Sequence, residues 1–410
     1  SMFNGAQSVF PNNPVGTIVT LDGLNNSPSN NNFSYVIKSS NNNSWSDKAS
    51  VSAHFNASEC YKYFLSTFNR KSIDGKGGNI VSLVNITEDD GSGLDNAFWN
   101  GEAMFYGNGN SAFKPLAGGL DVGGHEMSHG VVQNTANLVY QGESGDLNES
   151  YADVFGVLID RNDWLLGEDI VKASAFPSGA LRSMSDPHNG GLSLNDNGWQ
   201  PKHTDEKYKG TQDNGGVHIN SGIPNHAFFL FASNSNVGKD NAEKVYYKAL
   251  TDYLVKSSVF IDARAAVVQA AKDLFGNSSP IVTAAESAFT QVGIGGGGNA
   301  GGSTYQNNLK PNPGNDFIVA TDADPDKVYL TYDNNFSSID VISDVDPATR
   351  FSVIDDGTAI VYVGTDKKLH AIQINYSNGN VNEVEINSNP IWGNVAISKD
   401  GSRLAMVTDA

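Results

Sequence analysis

His125 and His129 stand four residues apart in Asp121-Val122-Gly123-Gly124-His125-Glu126-Met127-Ser128-His129. On a helix, residues i and i+4 share a face, so the two imidazoles aim at one point. Glu126 sits beside the first and can reach a water held there. Zinc takes nitrogen ligands in tetrahedral geometry, and a catalytic zinc keeps one position open for water. Two histidines leave it one protein ligand short. Glu149, in Asn148-Glu149-Ser150-Tyr151-Ala152-Asp153, can be the third, and the nineteen residues between His129 and Glu149 allow a turn and a second helix packed on the first. Asp153, at i+4 from Glu149, can accept a hydrogen bond from a ligand histidine and fix its tautomer. A third histidine six residues after His129 would define another class of zinc site, but that position is Thr135. The five-residue motif alone also fits an amphipathic helix with two surface histidines; Glu149 and Asp153 favour the metal.

The elements that must position these groups read as an α+β chain. Residues 3–45 are rich in Asn, Ser and Gly, with short runs such as Gly16–Leu21 and Phe33–Ile37, which predicts irregular antiparallel strands and Asn-rich turns. A helix is expected over 48–69, with Ala53, Tyr61, Phe64, Leu65 and Phe68 towards a core. Strands follow over 78–107. Among them Asn96-Ala97-Phe98-Trp99 reads as an edge, where a peptide can add itself as one more strand; Phe98 and Trp99 are expected in the core. The helix bearing the histidines is expected from about Gly119 to Ala136. Its Gly123 and Gly124 weaken the first turn by about 1 kcal/mol each relative to alanine. Helical spacing then recurs over 143–160, 218–234, 241–256, 260–275 and 279–290, with Ala265, Val268, Ala271, Leu274 and Phe275 as one core stripe.

The domain reading is a β-rich lobe over 1–136, a helical lobe over 137–293, a Gly-rich linker over 294–304 and a β-rich region over 305–410. In the last, Asp356-Gly357-Thr358-Ala359-Ile360-Val361 echoes Asp400-Gly401-Ser402-Arg403-Leu404-Ala405 at an offset of forty-four residues. That period suits a propeller blade, and a β-sandwich is the alternative. Two copies do not close a ring, so a partial propeller is the expectation, with truncation of a larger β region as its corollary.

The 410 residues carry a formal net charge of −19, with a pI near 4.6. A phosphate backbone wants a basic face, so nucleic acid is not an expected partner. Cys60 is the only cysteine; no intrachain disulfide can form, and the residue reads as a small buried hydrophobe. No apolar run is long enough to span a membrane. Ser1-Met2 reads as an expression scar and no signal peptide follows it, so a mature N-terminus is expected.

The pair His125-Glu126-x-x-His129 and Asn148-Glu149-x-x-x-Asp153 resembles the thermolysin family of secreted zinc endopeptidases. Asp95–Gly101, Leu181–Pro187 and Asp213–Gly222 resemble that family's substrate-edge, arginine and distal-histidine segments, in the family's order. The resemblance covers roughly residues 45–293. It implies a thermolysin-like two-lobe catalytic domain, one catalytic zinc, protein or peptide substrates, a monomer, and secretion.

Carried over residue by residue, it implies Glu126 as general base, His218 and Tyr140 as donors to an oxyanion, and Asp213 as the carboxylate that orients His218. Asn148 and Asp153 would support the ligands. Asn96 and Ala97 would form the substrate edge, and Arg182 would bind the substrate carbonyl beyond the cleavage point. Phe113, Leu116, Val122, Leu166 and Leu181 match or neighbour the pocket for the residue after the cleaved bond. All are apolar, which implies cleavage before Leu, Phe, Ile or Val.

Asp121, Asp160, Asp163 and Glu168 line up with a structural calcium site for one or two ions. Three departures stand out: the Asp160–Asp163 segment is short, Leu165 replaces a usual glutamate, and Gly123 replaces a bulkier residue and is expected to loosen the helix start. Two other readings remain. An exopeptidase would normally have a gap of eighteen and a segment for the free amine; a binding protein on this fold would normally have lost Glu126, a ligand or His218. For residues 305–410 a substrate- or surface-binding module is the leading reading. His54, His188, His203, His226 and His370 have no matching role.

Overall fold

A computed structural model of the chain describes residues 16–38, 44–295, 318–321, 327–331, 338–354, 356–398 and 401–408. The chain divides into two units, Ser1–Gly302 and Ser303–Ala410. Most of the Gly-rich linker lies outside the described residues.

The first unit begins with a five-stranded sheet of order β2-β1-β3-β5-β4. Its strands are β1 (Ile18–Asn26), β2 (Val36–Ile37), β3 (Ile80–Ile86), β4 (Ala97–Trp99) and β5 (Met104–Gly107). β1 pairs antiparallel with β2 but parallel with β3, Ile18 facing Ile80 and Leu21 facing Leu83. The antiparallel expectation for residues 3–45 therefore holds only for the short pair. The cause is the long helix between β1 and β3, which supplies the crossover that a parallel pair needs. β4 pairs only with β5 and leaves its other edge open.

That helix is α1 (Lys48–Phe68). Asp47 caps it, its carboxylate accepting from the amides of Ala49 and Ser50, and Asn69 ends it at φ 54°. Ala53, Ala57, Cys60 and Phe64 are buried; Tyr61, Leu65 and Phe68 are half-buried. Asn56 Nδ2 donates to the carbonyls of Ala117 and Gly119, at 3.0 and 2.8 Å. It thereby ties α1 to the start of the next helix, α2 (Leu120–Gln133).

Both glycines of α2 lie at close approaches. A Cβ on Gly123 would stand 2.8 Å from Asn56 Cβ, and one on Gly124 3.1 Å from Gly156 Cα of α3 (Gly142–Ile159). Gly123 does not loosen the helix start: it admits Asn56, whose two hydrogen bonds hold that start.

Beyond α3 come the short pair β6 (Leu165–Leu166) and β7 (Arg182–Ser183) and then α4 (Gln212–Asn220), α5 (Gly222–Ala232), α6 (Gly238–Lys248), α7 (Phe260–Phe275) and α8 (Pro280–Gln291). α7 buries Phe260, Ala263, Val267, Ala270 and Ala271, while Leu274 is 43% exposed and Ala265 is exposed. Of the expected stripe, Val268 and Ala271 are buried and Phe275 is half-buried against the core; Ala265 and Leu274 miss it, because an alanine-rich helix carries apolar residues on two faces and spacing alone does not choose between them. One continuous core runs from α1 through α2 and α3 to α8.

The second unit is antiparallel throughout. β8 (Ile318–Thr321), β9 (Val328–Thr331) and β10 (Asp340–Ser343) form one sheet; β11 (Ser352–Val353), β12 (Ala359–Val363), β13 (Leu369–Asn375) and β14 (Asn380–Asn387) form a four-stranded meander; β15 (Trp392–Ile397) and β16 (Leu404–Thr408) form a hairpin. Val328, Leu330 and Ile342 pack on Ile360, Tyr362, Ile372 and Ile374 between the first two sheets. Val395 packs on Val361, Val363 and Leu369 between the second and third. The repeated Asp-Gly motif leads into β12 and β16, each the second strand of its sheet; Asp400 lies outside the described residues. The described residues form no closed ring of sheets.

Candidate active site

α2 and α3 bring His125, His129 and Glu149 together. The two Nε2 atoms are 3.0 Å apart. Glu149 Oε2 is 3.5 Å from the first and Oε1 3.4 Å from the second. The tautomers follow from the partners. Asn148 Nδ2 donates to the Leu138 carbonyl at 3.0 Å, so Asn148 Oδ1 must accept from His129 Nδ1, 2.8 Å away. His125 Nδ1 lies 2.8 Å from Asp153 Oδ1. Burial alone would raise the Asp153 carboxyl, but Arg182 and His125 hold it well below the usual carboxylate range. It is ionised and can only accept.

With each Nδ1 facing an acceptor, the two Nε2 atoms are the ring nitrogens left to point at one place, each able to offer a lone pair there once deprotonated. Glu149 Oε2 beside them is buried without a hydrogen-bond partner. Burial would raise Glu149 too, yet His129, His218, His125 and Arg182 hold it down to about 2. Two lone pairs and a carboxylate at one point are a donor set that a divalent cation satisfies.

Glu126, 5% exposed, is pushed up to about 7 by burial; Glu149 adds to the rise and His129 opposes it.

His218 arrives through an unusual turn. Asp213, Asn214, Gly215 and Gly216 hold φ of 53°, 52°, 91° and 92°, a left-handed run before the right-handed part of α4. Asp, Asn and Gly are the residues that tolerate this conformation. The turn folds Asp213 back, so that Oδ2 accepts from the His218 amide and Oδ1 lies against His218 Nδ1, both at 2.8 Å. His218 Nε2 then stands 3.1 Å from the Tyr140 hydroxyl and 3.3 Å from Glu149 Oε1. Tyr140 donates to Glu149 Oε1. Burial lowers the His218 pKa, but Glu149 and Asp213 outweigh it and the net shift is upward.

These groups share a cleft of about 620 Å³ with Asn96, Ala97, Phe98, Trp99, Gln133 and Lys256. Phe98 and Trp99, expected in the core, are half-buried: each packs against a core cluster with one face and lines the cleft with the other. Phe98 stacks on Phe105 at 4.9 Å, and Trp99 Nε1 donates to Gln133 Oε1 at 2.7 Å. Asp95, next to the edge, gathers the following loop. Its carboxylate accepts from the amides of Asn110, Ser111, Ala112 and Phe113 and from the Ser111 hydroxyl.

Arg182 does not line that cleft. Its Nη2 reaches Asp153 Oδ1 at 2.7 Å. Leu166 pairs with Arg182 in β6–β7, and the Leu181 amide donates to the Leu166 carbonyl at 2.9 Å. Leu116, Val122 and Leu166 are buried; Phe113 and Leu181 are half-buried. None of these five lines the 620 Å³ cleft.

Of the expected calcium ligands, Asp160 and Glu168 converge, and the third carboxylate with them is Asp169. Sequence reasoning missed Asp169, although it adjoins Glu168. Asp121 is 1% exposed; its Oδ2 accepts from the Gly167 amide, and Oδ1 has no partner. Burial, with Asp160 and Asp169 adding, pushes it up to about 6. Burial likewise raises Glu168 to about 7. Asp163 stands outside the trio, its Oδ1 accepting from the Leu165 amide at 2.8 Å.

Comparison with known proteins decides the family. Residues 5–133 match the model of the thermolysin metallopeptidase catalytic domain, and residues 136–294 that of the thermolysin metallopeptidase alpha-helical domain. A solved precursor of protealysin, a metalloproteinase from Serratia proteamaculans, aligns with a TM-score of 0.60 at 31% identity, over 68% of this chain and 87% of that one. The chain belongs to the thermolysin family of metallopeptidases. Among its relatives are a bacillolysin of Brevibacillus brevis, 45% identical over 261 residues, and a thermolysin of Alicyclobacillus acidocaldarius subsp. acidocaldarius, 44% identical over 262. These matches cover 62% and 60% of this chain and 47% and 46% of the relatives, so the chain spans about half their length. Both matched thermolysin-family domains lie in the first unit.

Proposed function

We propose that the chain is a secreted zinc endopeptidase that cleaves internal peptide bonds by direct attack of water. The observation that carries this reading is the pair of Nε2 atoms 3.0 Å apart, with Glu149 against them and Glu126 in the same cleft. Zinc held by His125, His129 and Glu149 would supply Lewis acidity, polarising the scissile carbonyl and making a water acidic near neutral pH.

The chain's own residues do the rest. A peptide lies along the open edge of β4 as an added strand. Glu126 takes the proton of the attacking water and returns it to the leaving amine. A buried carboxylate raised to about 7 can serve both steps. Tyr140 and His218 donate to the oxyanion that forms. Asp213 holds His218 by two contacts, and Arg182, braced by Asp153, binds the carbonyl on the far side of the cleaved bond. Phe113, Leu116, Val122, Leu166 and Leu181 are assigned by the resemblance to the pocket for the residue just after that bond, and their apolar character favours a bulky apolar residue there. Calcium between Asp160, Glu168 and Asp169, with Asp121 behind them, would neutralise carboxylates that otherwise repel one another. Secretion is carried over from the family, and no helix of the described residues is long and apolar enough to cross a membrane.

The test is a peptide blocked at both ends with an internal Leu or Phe, with and without a zinc chelator, beside Glu126→Gln. Chelator-sensitive cleavage before the apolar residue, lost in the variant, is expected. Absence of cleavage with one zinc bound would return the binding-protein reading, and products cut mainly before charged residues would sink the apolar preference.

A further inference from the structure

The cleft wall beyond Tyr140 contains a residue that the reaction does not use. Lys256 lines the cleft with Trp99, Gln133, Asn137 and Val139, and it is exposed. It is the only lysine or arginine among the residues that line this cleft. Among the described residues its ammonium forms no ion pair, whereas Lys248, Lys207 and Lys202 each lie against a carboxylate.

Its backbone is fixed on both sides. The Val139 amide donates to the Lys256 carbonyl at 2.9 Å. Two residues on, Ser258 accepts at its carbonyl from the Ser144 hydroxyl at 2.8 Å, and its own hydroxyl accepts from the Val255 amide at 2.9 Å. Leu138, before Val139, accepts from the Asn148 amide that orients His129. The lysine is thus anchored to the same backbone that sets the site, on a stem of four carbons that gives its charge reach.

The setting makes that charge informative. The chain carries a net charge of −19, a field that disfavours acidic peptides. A single uncompensated cation in the cleft is a local exception. Arg182 and those five apolar residues, assigned to the residues after the cleaved bond, do not line this part of the cleft. Lys256 lies instead in the cleft that those residues do not enter, beyond Val139 and Tyr140.

We propose that Lys256 is a specificity-determining residue that receives an acidic side chain of the substrate on the amine side of the cleaved bond. This rests on the endopeptidase reading above.

The test is a set of blocked peptides with one internal Leu, in which Glu and Gln are exchanged at each position on both sides. The full chain is compared with Lys256→Met, which keeps the stem, and Lys256→Arg, which keeps the charge. The expected result is a preference of about fivefold in kcat/KM for Glu over Gln at one position on the amine side. It vanishes in Lys256→Met, persists in Lys256→Arg and shrinks at about 1 M salt. Fluorescence anisotropy of the same peptides on Glu126→Gln, where nothing is cut, reads the preference without catalysis. No preference, one unchanged in Lys256→Met, or one confined to the carboxyl side overturns the proposal. If wild type cuts no peptide, the endopeptidase reading fails, and the anisotropy series alone decides whether Lys256 selects an acidic ligand.

Discussion

Two clusters of metal-binding type lie in the first unit, and they are built in opposite ways. At His125, His129 and Glu149 the groups behind the ligands are committed. Asn148 is held by the Leu138 carbonyl. Asp153 takes Arg182 and Asn225 as well as His125. At Asp160, Glu168 and Asp169 the bracing is sparser: Asn162 Nδ2 donates to Asp160 Oδ1 at 3.1 Å, while Asp121 and Glu168 each keep a buried oxygen without a partner. The first site is shaped before any ion arrives, as chemistry at a fixed geometry requires. The second is a set of like charges that needs an ion to be comfortable, which is how a structural ion comes to govern stability. A substitution in one cluster should therefore change rate, and in the other, melting temperature.

The largest effect expected is on rate. Glu126→Gln should lower kcat by about 10²–10⁴ and leave the melting temperature nearly unchanged, read by peptide cleavage and by calorimetry on one preparation. A variant that melts many degrees lower would break the comparison, because the carboxylate would then be part of the scaffold.

The groups proposed to act on the oxyanion come next. His218→Ala should cost about 10²–10³ in kcat with little change in KM. Asp213→Asn, which leaves one acceptor in place, should cost less than that.

The acidic cluster should show the reverse pattern. Wild type should melt lower in a calcium chelator than in millimolar calcium. Glu168→Gln should erase most of that difference and melt higher than wild type in calcium-free buffer, because a repelling charge is gone. A lower melting point for this variant without calcium would mean that the carboxylate has a partner role that the geometry does not provide.

The smallest effect serves as a control on burial without clustering. Asp146 is 0% exposed, and burial pushes its carboxyl up to about 8, with Glu143 adding and Lys207 opposing. An unfolded aspartate titrates near 3.9. Between about pH 4 and pH 8 the folded chain holds a proton that the unfolded chain has lost, so stability falls as pH rises through that window. Asp146→Asn should therefore raise the melting temperature little at pH 5 and more at pH 8, with no dependence on calcium. Equal gains at both pH values would assign the effect to packing instead.

How much of this was legible in the sequence follows from distance along the chain. His125, Glu126, His129, Glu149 and Asp153 fall within twenty-nine residues on two helices whose periodicity fixes their faces, and the structure joins them. Arg182, Asp213 and His218 could be carried only by resemblance, since no local pattern brings them to α2. Lys256 was missed because its place in the cleft depends on a backbone contact with Val139, 117 residues earlier. Asp169 was missed for a different reason: in so acidic a chain, one more carboxylate beside Glu168 carries no distinctive signal. The parallel pairing of β1 and β3 and the exposure of Ala265 and Leu274 on α7 show the same limit, for both are set by what packs on an element rather than by its own spacing.

A peptidase is also the first protein within its own reach. On the endopeptidase reading the cleft takes an extended strand, so any surface loop that can straighten is a candidate for self-cleavage. Residues 110–113 form such a loop, lying beside the substrate edge. Asp95 holds all four of their amides on one carboxylate, and straightening the loop means releasing them together. Asp95 shares that restraint with the bridge between Phe113 and Val171 and with Lys172, whose amide donates to the Ala112 carbonyl, and the nick that appears first in an aged Asp95→Ala preparation should fall within those four residues.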